Sequence, residues 1–486
     1  MSMSASFNAG VGFNTNVDTS LKLDPYDTLY SYQQRGVDYL VEKGSGCLWD
    51  DPGLGKTRQA IVAARKLGGP VLIVCPNSVK YWWREEIRKM YPQDRIMLAG
   101  TGGRFGTKKL PITLRSLLPQ RGFPMWTIVH YEGVRISLDD YKAVRWSVVV
   151  LDEAHFIKNR TTKRTKAIVE VTPTLAYRIE LTATPYGRNP ADFWSQLRWI
   201  APLNTALGSY WKFYEMFVDY EMDRASNGAM YRKVKGGKNL EQLARLMNGF
   251  GLRRTKKMVA PELPPITDTY MPLELEGRQA TMYQKLCDTT KVEYQTANGD
   301  ALSIPNTLAR MTRLEQLLSH PWTFDAAVQG AKLEWVKEWA EGCSTPTVIA
   351  TRFKASAHRL ARELGCKSAI TGDIPPILRN AILQRWLKGE EQFVVGTIDT
   401  IGTGLNLTPA HTLILYDSMY DPIRMEQTRE RVHRITTDHP VEVIYLYVPG
   451  TTNEVVLRAF IERWQQIELV RRFLYYLQKG VIDDAS

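Results

Sequence analysis

The sequence lacks any run of about 18 consecutive apolar residues, the length a membrane-spanning helix needs. Its first residues, MSMSASFNAGVGFNTN, hold neither a basic start nor a long apolar stretch, which argues against a secretory leader. Cysteine is scarce, at five: Cys47, Cys75, Cys287, Cys343 and Cys366. The odd number and the absence of a C-x-x-C pair argue against a disulfide framework and a zinc site, and point to a reducing compartment. Cys47 and Cys75 lie in apolar runs and read as small core residues. The H-E-x-x-H pattern of metalloproteases is missing. The Gly-rich GTGGRFGTKK (Gly100–Lys109) misses dinucleotide-binding spacing and reads as a flexible loop. No tandem repeat or low-complexity tract occurs.

What is present is a globular composition, 44% apolar and 23% charged. A length of 486 residues suits about two to four domains. Lys plus Arg outnumber Asp plus Glu by 63 to 51, a formal charge of +12, which favours polyanionic partners.

Residues 1–24, rich in Ser, Asn, Gly and Thr, read as a flexible tail. Short apolar runs then alternate with helical stretches. VLIV (Val71–Val74), VVVL (Val148–Leu151) and RIEL (Arg178–Leu181) predict buried parallel strands, with helices at RQAIVAARKL and YWWREEIRKM between them. Residues 25–186 thus form a first α/β lobe. Residues 187–262, rich in aromatics and Met and largely helical by pattern, read as a helical insertion. PELPPITD (Pro261–Asp268) marks a linker, and 263–342 read as linker plus a second helical insertion. Strand signals resume at TVIA, FVVG, TLILY and EVIYLYV, giving a second parallel α/β lobe over 343–450. A capping box from Thr451 to Glu454 opens a C-terminal helix over 451–486.

The chemistry concentrates in ordered motifs. DDPGLGKT (Asp50–Thr57) lies between a strand-like run and a helix, the context of a phosphate-binding P-loop. Backbone N–H groups around Gly53, Leu54 and Gly55 would cradle phosphates; Lys56 would reach the β and γ phosphates of ATP, and the Thr57 hydroxyl would ligate Mg2+. Asp50 stands where the general pattern has its first Gly, and a Gly-rich turn is the alternative. VVVLDEAH ends an apolar strand in two carboxylates. Asp152 suits the Mg2+ and Glu153 the attacking water. A solvated surface pair is the bland alternative to that reading. QTRERVHR puts Arg431 and Arg434 three residues apart on one helix face, where guanidinium groups can stabilise the charge of phosphoryl transfer by about 10³–10⁵ in rate. RRTKK (Arg253–Lys257) either binds phosphate or caps a helix surface. Trp82 and Trp83 read as core rather than as base-stacking platforms.

GVDYL after Tyr32–Gln33, DDPGLGKT, CPNSVKYWWREEI, HYE, DEAHFIKN, LTATP, LRRTKK, TGLNLT and QTRERVHRI occur in one order. This series resembles the SWI/SNF-type branch of helicase superfamily II, the chromatin-remodelling and DNA-translocase ATPases, over nearly the whole chain. The resemblance implies two RecA-like parallel-sheet lobes with helical insertions, P-loop NTPases that hydrolyse ATP between the lobes. It implies that Gln33 reads the adenine edge, and that Ser78 and Tyr131 lie on a DNA track. Thr182 and Thr184 would couple hydrolysis to lobe movement. Thr351 and Arg352, and Thr397, Gly402, Gly404 and Asn406, fall in second-lobe motifs assigned to nucleic acid. Gln427, Arg431 and Arg434 would face the γ-phosphate. Asp50 is the family's usual residue at its position. Ala183, Asp51, Pro52 and the Arg434–Ile435–Thr436–Thr437 run depart from the family pattern.

The function this implies is a DNA-dependent ATPase that translocates on duplex DNA, in repair, recombination or replication-fork remodelling. It would act as a monomer on duplex or branched DNA, away from membranes, in the cytoplasm of a bacterium or a phage-infected cell. A strand-separating or strand-annealing helicase is the alternative, and a non-hydrolysing ATP-bound clamp a third. No separation pin is evident in the sequence, which favours translocation.

Overall fold

The computed structural model describes residues 24–99, 125–183, 190–224, 228–288, 293–295, 301–303, 307–402, 405–462 and 465. Two α/β lobes make up most of them. In the first, β1 (Ser45–Leu48), β2 (Val71–Cys75), β3 (Ile96–Leu98), β4 (Trp126–His130), β5 (Val148–Asp152) and β6 (Tyr177–Leu181) pair in parallel. Farther along the chain a hairpin, β7 (Val218–Arg224) with β8 (Met230–Gly237), stands apart, and β9 (Gly251–Leu252) closes the first sheet, whose order is β3-β4-β2-β5-β6-β1-β9.

Parallel strands carry helices on both faces, so their residues are buried on both. The two hydrophobic clusters of this lobe divide the strands by alternation. Leu72, Val74, Val149 and Leu151 face one layer, with Val134, Ile168 and Phe193. Val71, Ile73, Val148 and Val150 face the other, with Ala60, Ile61, Trp83 and Ile87 from the helices Lys56–Leu67 and Lys80–Met90. Cys47 and Cys75 are buried there, as their apolar context indicates.

The second lobe repeats the plan. β10 (Ile266–Pro272), β13 (Thr347–Thr351), β14 (Phe393–Thr397), β15 (Thr412–Leu415) and β16 (Val441–Tyr447) form an all-parallel sheet in the order β10-β16-β15-β13-β14; a small pair, β11 (Glu293–Gln295) with β12 (Ala301–Ser303), lies outside it. Ile349, Val395 and Ile414 face one cluster, and Val348, Val394 and Leu413 the other. The fold is therefore the pair of parallel-sheet lobes that the alternating strand and helix signals imply, and the RecA-like architecture that the resemblance implies.

Three local expectations differ. The stretch 187–262 is not wholly helical: YRKVKGGK lies on β8, where Lys233 and Lys235 pair across the ladder with Glu221 and Asp223, and Gly251–Leu252 joins the sheet. Alternation of charge with Tyr, Met and Val on these strands follows a period of two, a strand signal masked by the helical segments around it. The second difference is in the proline-rich linker, which ends inside β10, paired with β16 along seven residues. At the C-terminal helix the cap is displaced by one residue: Thr451 Oγ1 accepts from Asn453 N, and Glu454 accepts from Gly450 N at 2.8 Å. The N-terminal tail up to residue 23, the Gly100–Lys109 loop and most of the stretch after 462 lie outside the described residues. Among the described residues no helix is long and apolar enough to cross a membrane.

Candidate nucleotide site between the lobes

The C-terminal ends of β1 and β5 open on a cleft of about 870 Å3, lined by both lobes. β1 runs into the P-loop. Gly55 starts the helix Lys56–Leu67 from a left-handed conformation, φ 72°, and a Cβ there would stand 2.2 Å from Gln33 Nε2. Glycine is therefore required by both backbone and space. Gln33 donates to Leu54 O at 3.2 Å and is nearly buried, so its side chain braces the loop. Lys56 Nζ donates to the carbonyls of Asp50 and Asp51 at 2.6 and 3.2 Å. Burial lowers its pKa against the pull of the Asp50 and Glu153 carboxylates.

β5 delivers Asp152 and Glu153. Burial, then the charge of Glu153, raises the Asp152 carboxyl to about 6; Trp83 Nε1 donates to it at 2.8 Å. Glu153 behaves oppositely. Burial works against its charge, but His155, Lys56 and Arg431 outweigh burial and hold its pKa below the usual value. Its backbone is left-handed, φ 54° and ψ 52°, a conformation that costs a non-glycine residue about 1–3 kcal/mol. That strain turns the carboxylate into the cleft. His155 Nδ1 stands 3.2 Å from Glu153 Oε2.

The second lobe answers with the helix Pro422–Val432 and the turn after it. Gln427 Nε2 donates to Glu153 Oε1 at 3.1 Å, a direct bond between lobes. Arg431 Nε donates to Gly402 O at 3.0 Å and Arg434 Nη2 to Leu405 O at 2.7 Å. Arg434 Cγ would lie 3.4 Å from a Cβ on Gly53, so this arginine packs against the P-loop. Among the described residues neither guanidinium has a carboxylate within 4 Å. Burial lowers both pKa values, and for Arg434 the charge of Arg431 adds to it. Two half-buried, incompletely compensated cations facing a P-loop fit a polyphosphate.

Thr57, Asp152 and Glu153 lie together in this cleft. A hydroxyl beside a carboxyl whose charge burial opposes is a donor set that suits a hard divalent cation completed by phosphate oxygens. No group of three His, Cys, Asp or Glu side chains that could hold a metal alone occurs among the described residues.

Several of the residues that the resemblance assigns to nucleic acid or to coupling are buried, and Asn406 is not. Tyr131 is buried, and its hydroxyl donates to Asp152 O at 2.8 Å, so it supports the DEAH turn. Thr351 is buried with its hydroxyl donating to Asp417 Oδ2, and the backbone N–H of the half-buried Arg352 donates to the same oxygen at 3.1 Å. Thr397 is buried against the Thr400 hydroxyl. Gly402 lines the nucleotide cleft, where its carbonyl receives Arg431. Asn406 is exposed. Thr182 is buried beside the P-loop strand, its N–H on Leu48 O. Ser78 lies in the turn Asn77–Val79; its side chain, Thr184 and Gly404 lie outside the described residues.

Two contributors escaped the sequence reading. Trp83 is core, as expected, yet its indole N–H also orients Asp152. The RRTKK segment does cap a helix, Thr255 Oγ1 accepting from Met258 N at the start of Lys256–Val259, but its arginines do more: Arg253 and Arg254 are buried against the P-loop carboxylates of Asp51 and Asp50. The signal available was Asp50 itself, an acidic residue at the glycine position that needs a buried cation to balance it.

A family described as the SNF2-related domain matches residues 32–323, and one described as the helicase conserved C-terminal domain matches 331–436. A DNA annealing helicase and endonuclease of Bos taurus is 24% identical over 449 residues, 88% of this chain and 39% of that protein. Chromodomain-helicase-DNA-binding protein 1-like of Mus musculus is 28% identical, over 91% of this chain and 50% of its own length. A putative ATP-dependent helicase/translocase of Bacillus subtilis is 27% identical, over 88% and 47%. The chain thus spans half or less of the length of these relatives. The SWI2/SNF2 ATPase core of Sulfolobus solfataricus in complex with dsDNA is 25% identical, covering 91% of this chain and 93% of that one, with a TM-score of 0.41.

Proposed function

The chain belongs to the SNF2-related domain family, and on that footing we propose that it is a DNA-dependent ATPase that translocates on double-stranded DNA. The observation that carries the reading is the cross-lobe pairing of Glu153 with Gln427, with Arg431 and Arg434 set opposite the P-loop and, among the described residues, bonded to carbonyls. ATP fits between these walls. Lys56 and the P-loop N–H groups hold the phosphates, and Gln33 stands at the loop's edge for the adenine. Thr57 and Asp152 would hold Mg2+, which would supply charge neutralisation at the phosphates. Glu153, kept ionised by its neighbours, orients the attacking water and takes its proton. Arg431 and Arg434 receive the charge that develops on the transferred group. Because both lobes contribute, hydrolysis is tied to closure, and alternate closing and opening ratchets the protein along DNA as a monomer. Thr182, behind the P-loop strand, with Thr184, couples the two events. Arg352, Asn406 and Ser78 are the candidate DNA contacts that remain. Repair, recombination or replication-fork remodelling in the cytoplasm of a bacterium or phage-infected cell is the setting we infer.

One observation favours the strand-separating alternative. The hairpin of β7 and β8 exposes Met222, Met230 and Tyr231 beside Trp211, with Arg232 stacked on the Trp211 ring. Apolar wedges of this kind can part base steps. A duplex carrying a third strand in its major groove separates the two readings. Translocation displaces the third strand with ATP and leaves a flush duplex paired, and affinity falls with salt at about −0.9 per phosphate contact. Efficient unwinding of a forked duplex with no third-strand displacement would replace translocation by strand separation.

A further inference from the structure

The segment between the lobes is fastened at both ends to the nucleotide machinery. At its start, Arg254 grips Asp50 through Nε and Nη2, donates to Gln59 Oε1 at 2.7 Å and to the Tyr32 carbonyl, and sends its backbone N–H to Asp50 Oδ1 at 3.1 Å. A planar guanidinium on a carboxylate fixes orientation as well as distance. Arg253 donates to Asp51 Oδ1 at 2.8 Å and to the Trp49 carbonyl, and Lys256 N donates to Asp51 Oδ2 at 3.1 Å. Asp50, which stands at the glycine position of the P-loop pattern, and its neighbour Asp51 are thus both occupied by one short stretch of chain.

The same stretch then reaches the other lobe. Lys256 Nζ donates to the Glu430 carboxylate and to the His433 carbonyl. Glu430 immediately precedes Arg431, and His433 immediately precedes Arg434. Farther along, the His433 ring meets Pro264 O at 2.7 Å, and Arg429 Nη2 pairs with Asp268 at 3.1 Å. Residues 253–268 therefore touch the arginine-bearing helix and turn at Arg429, Glu430 and His433, and the P-loop at Asp50 and Asp51. Lys256 is nearly buried, so its charge is screened little by solvent and its pairing is directional.

We propose that Lys256, anchored through Arg253 and Arg254 to the P-loop, is a positioning residue that sets the register of Arg431 and Arg434 against the phosphate site. The inference rests on the reading of the cleft as an ATP site. Its physical basis is that a guanidinium acts on a developing charge only within hydrogen-bond reach, and a misplacement of about 1 Å costs about 10² in rate. The P-loop carboxylates, the two arginines and Lys256 give the second-lobe arginines a rigid reference that does not pass through the nucleotide.

The test compares wild type, Lys256→Met, Lys256→Arg, Glu430→Gln and the charge swap Lys256→Glu with Glu430→Lys. Folding is checked by Tm, and DNA-saturated hydrolysis gives kcat and KM for ATP. Lys256→Met should lower kcat by about 10- to 100-fold with KM within about twofold, Lys256→Arg and the swap should recover most of it, and Lys256→Met with Glu430→Gln should be no worse than either alone. Energy transfer between fluorophores on the two lobes provides a readout independent of hydrolysis: Lys256→Met should broaden the distance distribution and the swap should narrow it again. If wild type fails to hydrolyse ATP, the ATP-site reading falls, while the distance measurement still decides the strut. If wild type hydrolyses and a folded Lys256→Met, or Glu430→Gln where that variant does not fold, matches it in kcat and in lobe distance, the positioning role is overturned.

Discussion

In the first lobe the chemistry sits on strand ends and backbone; in the second it sits on the side chains of one helix and the turn beyond it. The P-loop and the DEAH turn follow β1 and β5 directly, and their geometry is secured by a left-handed Gly55, a left-handed Glu153 and the Trp83 and Tyr131 hydrogen bonds to Asp152. Arg431 and Arg434 instead lean on carbonyls of the loop around Gly402 and Leu405. The first wall is locally braced, with Lys56 and Asp50 already partnered. The second wall depends on where the whole lobe lies.

The lobes also differ in how they bury a carboxylate. In the second, Asp417 accepts from Lys332 Nζ, Ser319 Oγ, Thr351 Oγ1 and Arg352 N, and these donors hold its pKa below the usual value although burial opposes its charge. In the first, Glu180 on β6 has no hydrogen-bond partner on either oxygen among the described residues, and burial raises its carboxyl to about 8. The Trp49 indole N–H offsets this in part, without reaching hydrogen-bond geometry. A buried carboxylate is thus a rigid cross-link in one lobe and a neutral acid in the other.

Exchanging the roles of the walls would produce the largest effect. Glu153→Gln removes the proton acceptor and should lower turnover by up to about 10⁴ with nucleotide affinity retained. Arg431→Ala or Arg434→Ala should lower it by about 10³ with DNA affinity little changed, whereas Lys56→Ala should act first on nucleotide affinity. Nucleotide titrations and steady-state hydrolysis read all four. Near-normal turnover in Glu153→Gln would remove it as the water-activating group, and loss of DNA binding with normal saturated turnover would move either arginine to the DNA surface.

Breaking the Asp417 network is the next largest. Lys332→Met leaves a buried carboxylate without its cation and should cost about 3–5 kcal/mol of stability. Denaturant unfolding measures it; a cost under about 1 kcal/mol, the range of an exposed pair, would show that the pair is solvated in solution.

The Glu180 contrast is read by pH. Its carboxyl ionises near 4.5 as an ordinary glutamate and near 8 in the fold. Between those values the folded state keeps a proton that the unfolded state has released. Its contribution to stability is therefore full below about pH 4.5 and lost as pH rises through about 8, with a slope of up to about 1.4 kcal/mol per unit. Glu180→Gln should flatten this slope and stabilise the protein above pH 8. Equal slopes in wild type and variant across pH 5–9 would show that Glu180 is not the titrating group.

Strands, lobes and the P-loop were legible because each depends on local pattern. Val71–Val74 and Val148–Leu151 are continuous apolar runs, and only a sheet covered on both faces buries every residue of such a run. Glu153, Arg431 and Arg434, which line one cleft, were legible as candidates because phosphoryl transfer leaves few side-chain types for each role. The hairpin was missed because its period-two alternation is short and self-paired. That Tyr131, Thr351 and Thr397 are buried was not legible, because membership of a motif says nothing of which way a side chain faces.

The amino-acid order by itself determined two parallel-sheet lobes, a phosphate loop, a carboxylate pair and a second-lobe arginine pair, since strand burial, glycine geometry and charge chemistry act over a few residues. Only the tertiary structure decided that Gln427 meets Glu153, that Arg253 and Arg254 hold Asp51 and Asp50 from about 200 residues away, and that Lys256 joins the P-loop to Glu430. Those contacts are buried charges finding partners across the fold, and the penalty for leaving a buried charge unpaired selects them only once the lobes have packed.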